Sequence, residues 1–187
     1  MIRKNPKLLH YLTETLIQEI PVDIMVNTYK AGAVILDQNK RVSNVYIIKQ
    51  GVTKCYLTED NGTQFIQEFF GEGELFGEVE TLKGGLSFCC IEAINPVEII
   101  QIPAKVFMTL LDTDKKFNRL ILEALTNKIQ YKAIRHAYNQ SHTIEDKIQR
   151  LEKDFPELFQ KLAKQDIANY LGITPRSLNR VLNKTKL

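Results

Sequence analysis

The chain changes its grammar at Pro103. From about Met25 to Ile102 it is written in short β-branched and aromatic runs separated by turn residues, and beyond Pro103 its apolar residues recur at helical spacing. The runs Val45 to Ile48, Lys54 to Thr58, Gln64 to Phe70, Phe88 to Ile94 and Val97 to Ile102 are predicted strands. Gly51, Asn61-Gly62, Gly71, Gly73, Gly84-Gly85 and Asn95-Pro96 punctuate them, and Asn61-Gly62 is a two-residue hairpin signal. Short strands at this spacing fit a small barrel, jelly roll or sandwich. Upstream, Leu8, Leu9, Leu12, Leu16 and Ile17 form a helical stripe that ends before Pro21.

Downstream, Asp112 or Asp114 can cap a long helix running to about Gln140, with Phe117, Leu120, Ile121, Leu125, Ile129 and the Ala133 to His136 region on its apolar side. A rod of that length exceeds what a small roll needs for its own core; it either packs against the barrel or forms a two-stranded seam between subunits, and the seam is preferred although it is imperfect past Ile129, where Lys132, Arg135 and His136 intrude. Asn139 to His142 is a polar interruption, read as a hinge. Two short helices, Thr143 to Phe155 and Pro156 to about Leu162, lead into the last segment.

That last segment carries the strongest functional signal. Ile167 and Leu171 lie one helical turn apart, and Ala168 between them lets a second helix cross closely. Gly172 ends the helix, Ile173 fills the corner, Thr174 can cap the next helix and Pro175 fits its first position. Leu178, Val181 and Leu182 then face inward, leaving Arg176, Ser177, Asn179, Arg180, Asn183 and Lys184 outside. This is the pattern of a helix-turn-helix that enters a DNA groove. Arginine forks match guanine O6 and N7, so Arg176 and Arg180 are the specificity candidates, with Thr174, Ser177 and Asn179 beside them and Lys184 and Lys186 placed for phosphates.

Charge agrees: residues 161–187 carry 6 Lys+Arg against 1 acidic residue, whereas residues 1–110 carry 10 against 13. The opening residues lack a secretory pattern and no window of 18 apolar residues exists, which predicts a soluble cytoplasmic protein without a membrane partner. Cys55, Cys89 and Cys90 are too few for a zinc or iron-sulfur cage, and neighbouring Cys89 and Cys90 on a strand point to opposite faces, so buried structural thiols are expected. No histidine falls between His10 and His136, which leaves a cupin-type metal enzyme without ligands. The chain also has no nucleophile-base arrangement and no P-loop. No catalytic residue and no metal is expected.

A β-roll, a long helix and a terminal helix-turn-helix, with Gly73-Glu74-Leu75-Phe76-Gly77-Glu78 inside the roll, resemble the Crp-Fnr family of bacterial transcription regulators. The resemblance spans nearly the whole chain and includes Val45 to Gly51 and Asp60-Asn61-Gly62. It implies an α+β chain with an antiparallel, jelly-roll-like sensor of cyclic-nucleotide-binding type over residues 1–110. A dimerisation helix over 111–140 and an all-α DNA-binding domain over 141–187 complete it. In relatives that bind cyclic AMP, the Phe-Gly-Glu segment opens a short helix facing the phosphate, its Glu holds the ribose, and an Arg-Ser or Arg-Thr pair grips the phosphate.

Phe76, Gly77 and Glu78 match that pattern, but Leu86-Ser87 stands where Arg-Ser would, and no arginine lies between Arg41 and Arg119. Losing a charge-assisted phosphate fork is worth about 2 to 5 kcal/mol, enough to turn micromolar binding into millimolar. Glu80 adds repulsion if it faces inward, and the helix near Tyr131, Lys132 and Ala133 lacks the paired hydroxyls used for adenine, although Lys132 offers a positive charge. Cyclic nucleotide is therefore disfavoured as a cofactor, and the pocket candidates are Phe76, Gly77, Glu78, Leu86, Ser87 and Lys132. The sequence stops at Leu187 without an obvious β-hairpin wing, and Pro175-Arg176 replaces the Arg-Glu of cyclic AMP receptor proteins, while Arg180 matches the family. The partners expected are a palindromic DNA duplex, a second copy of the chain, RNA polymerase and an unidentified small-molecule effector. The competing expectation is a ligand-sensing roll that acts on a protein partner without specific DNA binding.

Overall fold

The computed structural model describes residues 2–17, 24–155, 159 and 162–185, with the backbone alone described at 154, 184 and 185. The elements in chain order are β1 (Ile2–Arg3), α1 (Pro6–Tyr11), β2 (Met25–Tyr29), β3 (Val34–Leu36), β4 (Asn44–Gln50), β5 (Thr53–Thr58), β6 (Gln64–Phe70), β7 (Leu75–Phe76), α2 (Glu78–Lys83), β8 (Cys90–Ala93) and β9 (Val97–Pro103). Four longer helices and one short one follow: α3 (Ala104–Thr113), α4 (Lys115–Ser141), α5 (Ile144–Asp154), α6 (Lys164–Leu171) and α7 (Pro175–Thr185). The strands form two sheets, β1-β6-β5-β8-β3 and β2-β9-β4-β7. All pairings are antiparallel except β1 with β6, where Ile2 and Arg3 lie beside Phe69 and Phe70.

Strand alternation sorts the apolar residues into three cores. Between the sheets lie Tyr46, Ile48, Cys55, Phe70, Phe76, Cys89, Ile91 and Ile99. Val45, Ile47, Ile100 and Ile102 point to the outer side of the second sheet and pack under Leu8, Leu12, Phe107, Phe117 and Ile121. Tyr56, Ile66 and Phe69 point to the outer side of the first sheet and pack against Ile148, Leu151, Ile167, Tyr170 and Leu178. Each sheet is thus covered on both faces, which explains why Val45 to Ile48 are all buried rather than alternating.

The long helix starts at Asp114, whose Oδ1 accepts from the backbone N–H of Lys116 at 2.9 Å and of Phe117 at 3.0 Å. It remains helical through Ser141, so of the polar run read as a hinge only the last residue, His142, leaves the rod. The break falls at His142, which takes extended backbone before Thr143 and Asp146 close a capping box on α5. Leu8 to Ile17 is helical as expected, but Leu12–Leu16 is π-helical. The expected end of that helix near Pro21 and most of the expected helix over 156–162 lie outside the described residues.

The hairpin at Asn61-Gly62 has a longer connection than the two residues expected. Glu59 N–H bonds Thr63 O at 2.9 Å and Gly62 N–H bonds Glu59 O at 2.8 Å, a turn completed by a bulge at left-handed Gly62. β1, β2, β3 and β7 were not expected; they are short or only partly apolar.

The C-terminal helices sit on the roll. Arg135 of α4 donates to the carbonyl of Gln67 on β6 and, at 2.7 Å, to that of Tyr170 on α6, with its guanidinium 3.8 Å from the Tyr170 ring centre. Tyr131 and Tyr170 hydroxyls meet at 2.7 Å, and Lys54 of β5 bridges Glu92 and Asp166, both at 3.2 Å. Replacing Arg135 by Ala should leave these carbonyls without their donor and cost about 2 kcal/mol in a urea unfolding curve, with faster proteolysis near His142.

Candidate sensor cavity and DNA-reading helix

Gly77 is the pivot of the cavity. Its φ of 83° is left-handed, and a Cβ there would stand 2.7 Å from Asn44 O, so only glycine fits between β7 and α2. The turn leads into α2, whose Glu78, Val79 and Glu80 line the cavity. Tyr46 stacks on Phe76 at 5.0 Å between ring centres, which fixes the strand that feeds it.

The cavity behind α2 has a volume of about 270 Å³. Phe76, Gly77, Glu78 and Lys132 line it, together with Glu68, Glu80, Cys55, Cys89 and Lys128. Leu86 and Ser87 do not: Leu86 is 53% exposed, and the buried Ser87 hydroxyl donates to Cys89 O at 2.6 Å. Tyr131 and Ala133 are not among its lining residues either; on α4 the lining comes from Leu125, Lys128, Ile129 and Lys132.

Lys128 is the residue that sequence reasoning missed. Its ammonium donates to Glu78 Oε1 at 2.7 Å and to Leu75 O at 2.5 Å, and lies 5.2 Å from the Phe70 ring centre. The buried Glu78 carboxylate therefore already has a partner within the chain. The signal was available: Phe117, Ile121, Ala124 and Lys128 share one helical face, and a lysine on a buried stripe calls for a carboxylate.

Glu80 does face the cavity, its Oε1 accepting from Phe88 N–H at 3.4 Å. Glu68 accepts from Arg3 at 3.2 Å, while Lys132 stands 3.5 Å from its other oxygen without hydrogen-bond geometry. No arginine lines the cavity, and three carboxylates do. Among the described residues no group of three or more His, Cys, Asp and Glu could hold a metal ion.

The other candidate site is α7. Gly172 is left-handed at φ 68° and closes α6, while Thr174 Oγ1 accepts from Ser177 N–H at 3.1 Å and opens α7. Leu178 and Val181 are buried against α6 and α5. Arg176, Asn179 and Arg180 are exposed on the opposite face, with Thr174 exposed and Ser177 half-buried at the helix start. Asn179 accepts from Lys164 at 3.2 Å. The Lys184 side chain and all of Lys186 lie outside the described residues.

Residues 26–114 match the cyclic nucleotide-binding domain family. That stretch runs from β2 through α3. Among curated proteins the chain is 23% identical over 155 residues to potassium channel KAT2 of Oryza sativa subsp. japonica, covering 80% of this chain and 24% of that one. It is 24% identical over 166 residues to regulatory protein YeiL of Escherichia coli O157:H7, covering 88% and 75%. The chain thus spans about a quarter of the channel and three quarters of the regulator. A crystal structure of a putative transcriptional regulator of the crp/fnr family from Eubacterium rectale superposes with a TM-score of 0.78 at 14% identity, covering 96% of this chain and 86% of that one. The roll, long helix and terminal helix-turn-helix therefore have the Crp-Fnr architecture. No helix among the described residues is long and apolar enough to cross a membrane.

The Lys128–Glu78 pair yields a direct expectation. Lys128→Met strands a buried carboxylate and should cost about 3 to 5 kcal/mol by chemical denaturation. Adding Glu78→Leu to it should recover much of that loss, because the uncompensated charge goes with the partner.

Proposed function

We propose that this chain is a homodimeric, sequence-specific DNA-binding transcription regulator, not an enzyme, whose roll senses something other than cyclic AMP bound in the usual way. The observation that carries the reading is the outer face of α7. Arg176 and Arg180 stand one turn apart, both exposed, on a helix whose Leu178 and Val181 are committed inward. Guanidinium forks so placed suit guanine edges in a major groove, and Lys184 and Lys186 belong with the phosphates. The Crp-Fnr architecture supports the assignment. If the regulator activates transcription, RNA polymerase is its further partner.

Dimerisation is supported by the free side of α4. Leu122, Thr126, Ile129, Ala133 and His136 fall at alternating spacings of four and three, and all are exposed, Leu122 at 58% and Ile129 at 70%. The face toward the roll is used by Phe117, Ile121, Ala124 and Lys128, so the seam is a second stripe on the same rod. Two copies joined along it would present two recognition helices to half-sites about 34 Å apart.

The sensor reading rests on the cavity. Glu78 is occupied by Lys128, Glu68 is paired with Arg3 and lies near Lys132, Glu80 adds negative charge, and no arginine lines the cavity. A nucleotide phosphate entering there meets carboxylates rather than a fork. The effector acts by position: α6 is held by β5, β6 and α4 through Lys54, Tyr131 and Arg135, so a shift in the roll moves the helix that carries α7.

The alternative, a roll that acts on a protein partner, requires nothing of α7, and the match to a potassium channel is the observation on its side. Replacing Arg176 and Arg180 together by Ala decides between them. Sequence-selective duplex binding in a mobility-shift titration should fall by at least about 100-fold, and survival of selectivity would assign the reading face elsewhere. Ile129→Glu should shift the chain toward monomer in sedimentation and weaken binding to a palindrome while leaving the fold intact.

A further inference from the structure

The cavity holds one chemical feature that neither the fold nor the regulator reading uses. Cys55 and Cys89 are free, buried thiols that line the same space, and Cys55 donates its S–H to Cys89 Sγ at 3.3 Å. They are not sequence neighbours. Cys55 lies on β5 in register with Ile91, and Cys89 stands two residues before Ile91 on the same inward face. The third thiol is separated from them by strand alternation. Cys90 packs with Tyr56 on the outer face, its sulfur accepting from Gln38 N–H at 3.3 Å and meeting Asp37 Oδ1 at 3.4 Å.

We propose that Cys55 and Cys89 are an oxidation site, a dithiol in the sensor cavity that small hydroperoxides convert to a disulfide. Cys89 Sγ attacks the terminal peroxide oxygen, the O–O bond breaks, and the thiol proton leaves with the alcohol. Cys89 is then a sulfenic acid. Cys55 sulfur displaces its hydroxyl, forming the S–S bond and releasing water with the Cys55 proton. Two thiols lose two electrons and the hydroperoxide becomes one alcohol and one water. Closing the pair needs the sulfurs to approach by about 1.2 Å, to the ~2.05 Å of a disulfide. Cys89 Sγ is the acceptor of the S–H···S contact and takes the attacking role on that geometry; the same bond and burial push the Cys55 thiol up.

The strand gives the event a route outward. Lys54 and Tyr56 flank Cys55 and point to the other face, where Lys54 pairs with Asp166 of α6 and Tyr56 packs in the core that holds the helix-turn-helix. On the Cys89 side, Phe88 N–H is bound by Glu80 of α2. Covalent closure draws β5 and the segment after α2 together, and through Lys54 it changes the seat of α6. This consequence rests on the regulator reading; the oxidation site itself does not.

The test uses the full reduced chain treated with stoichiometric tert-butyl hydroperoxide and followed by intact mass. A loss of about 2 Da, reversed by a phosphine reductant and mapped by non-reducing digestion to Cys55 and Cys89, is expected. Cys90→Ser should behave like the parent, whereas Cys55→Ser should gain oxygen on Cys89 instead of losing hydrogen. An unchanged mass, or a bond that involves Cys90 or a second chain, overturns the site. Affinity for a selected duplex should change by about tenfold on oxidation of the parent and not of Cys55→Ser. A disulfide with unchanged affinity overturns the route through Lys54. A chain that forms the disulfide but binds no duplex selectively in either state refutes the regulator reading and sustains the oxidation site.

Discussion

A lysine ammonium buried under a β-roll must be fully partnered, and Lys128 meets that demand by tying three elements together. Its bonds to Glu78 and to Leu75 O reach α2 and β7, while its stem belongs to the buried stripe of α4. Leaving either charge alone in that setting costs several kcal/mol, so the pair fixes where the long helix lies relative to the short one. The position of the helix that carries the proposed dimer seam and the shape of the cavity are therefore one geometric problem. Where a nucleotide's ribose would recruit Glu78, the chain supplies its own cation.

The β5–β6 hairpin carries the second half of the architecture. Its inward residues, Cys55, Glu68 and Phe70, line the cavity, and its outward residues, Lys54, Tyr56, Ile66 and Phe69, hold the C-terminal helices. The two-residue period, shifted by a bulge at Gln67 between Ile66 and Glu68, places the cavity and the seat of α6 on opposite sides of a single strand layer. Arg135 reinforces it from α4 by binding backbone carbonyls on both β6 and α6. A chemical event on one face of the hairpin needs no long relay to be felt on the other.

Much of this was legible before any coordinates. Periodicity located the long helix to within a residue or two because Asp114 caps it with its own carboxylate, and the Gly172, Thr174 and Pro175 chemistry placed α6 and α7 because each residue answers a local backbone need. Gln64 to Phe70 was read as a strand at its observed bounds. What stayed hidden depends on register and on which face of a helix meets which neighbour. The α4 rod carries two stripes, and a single apolar tally blends Phe117 and Ile121, which face the roll, with Ile129, which is mostly solvent-exposed. Leu86 aligned with the family's arginine position yet points to solvent, while Cys55 and Cys89 meet only because β5 and β8 pair in one particular register.

The central claim is that the cavity's own Lys128–Glu78 pair removes the need for cyclic AMP in DNA recognition. Selection of a random duplex library on the purified chain at about 150 mM salt, with and without cyclic AMP, tests it most directly. The account predicts that a two-fold symmetric site is enriched equally in both arms. Enrichment confined to the cyclic AMP arm would contradict it.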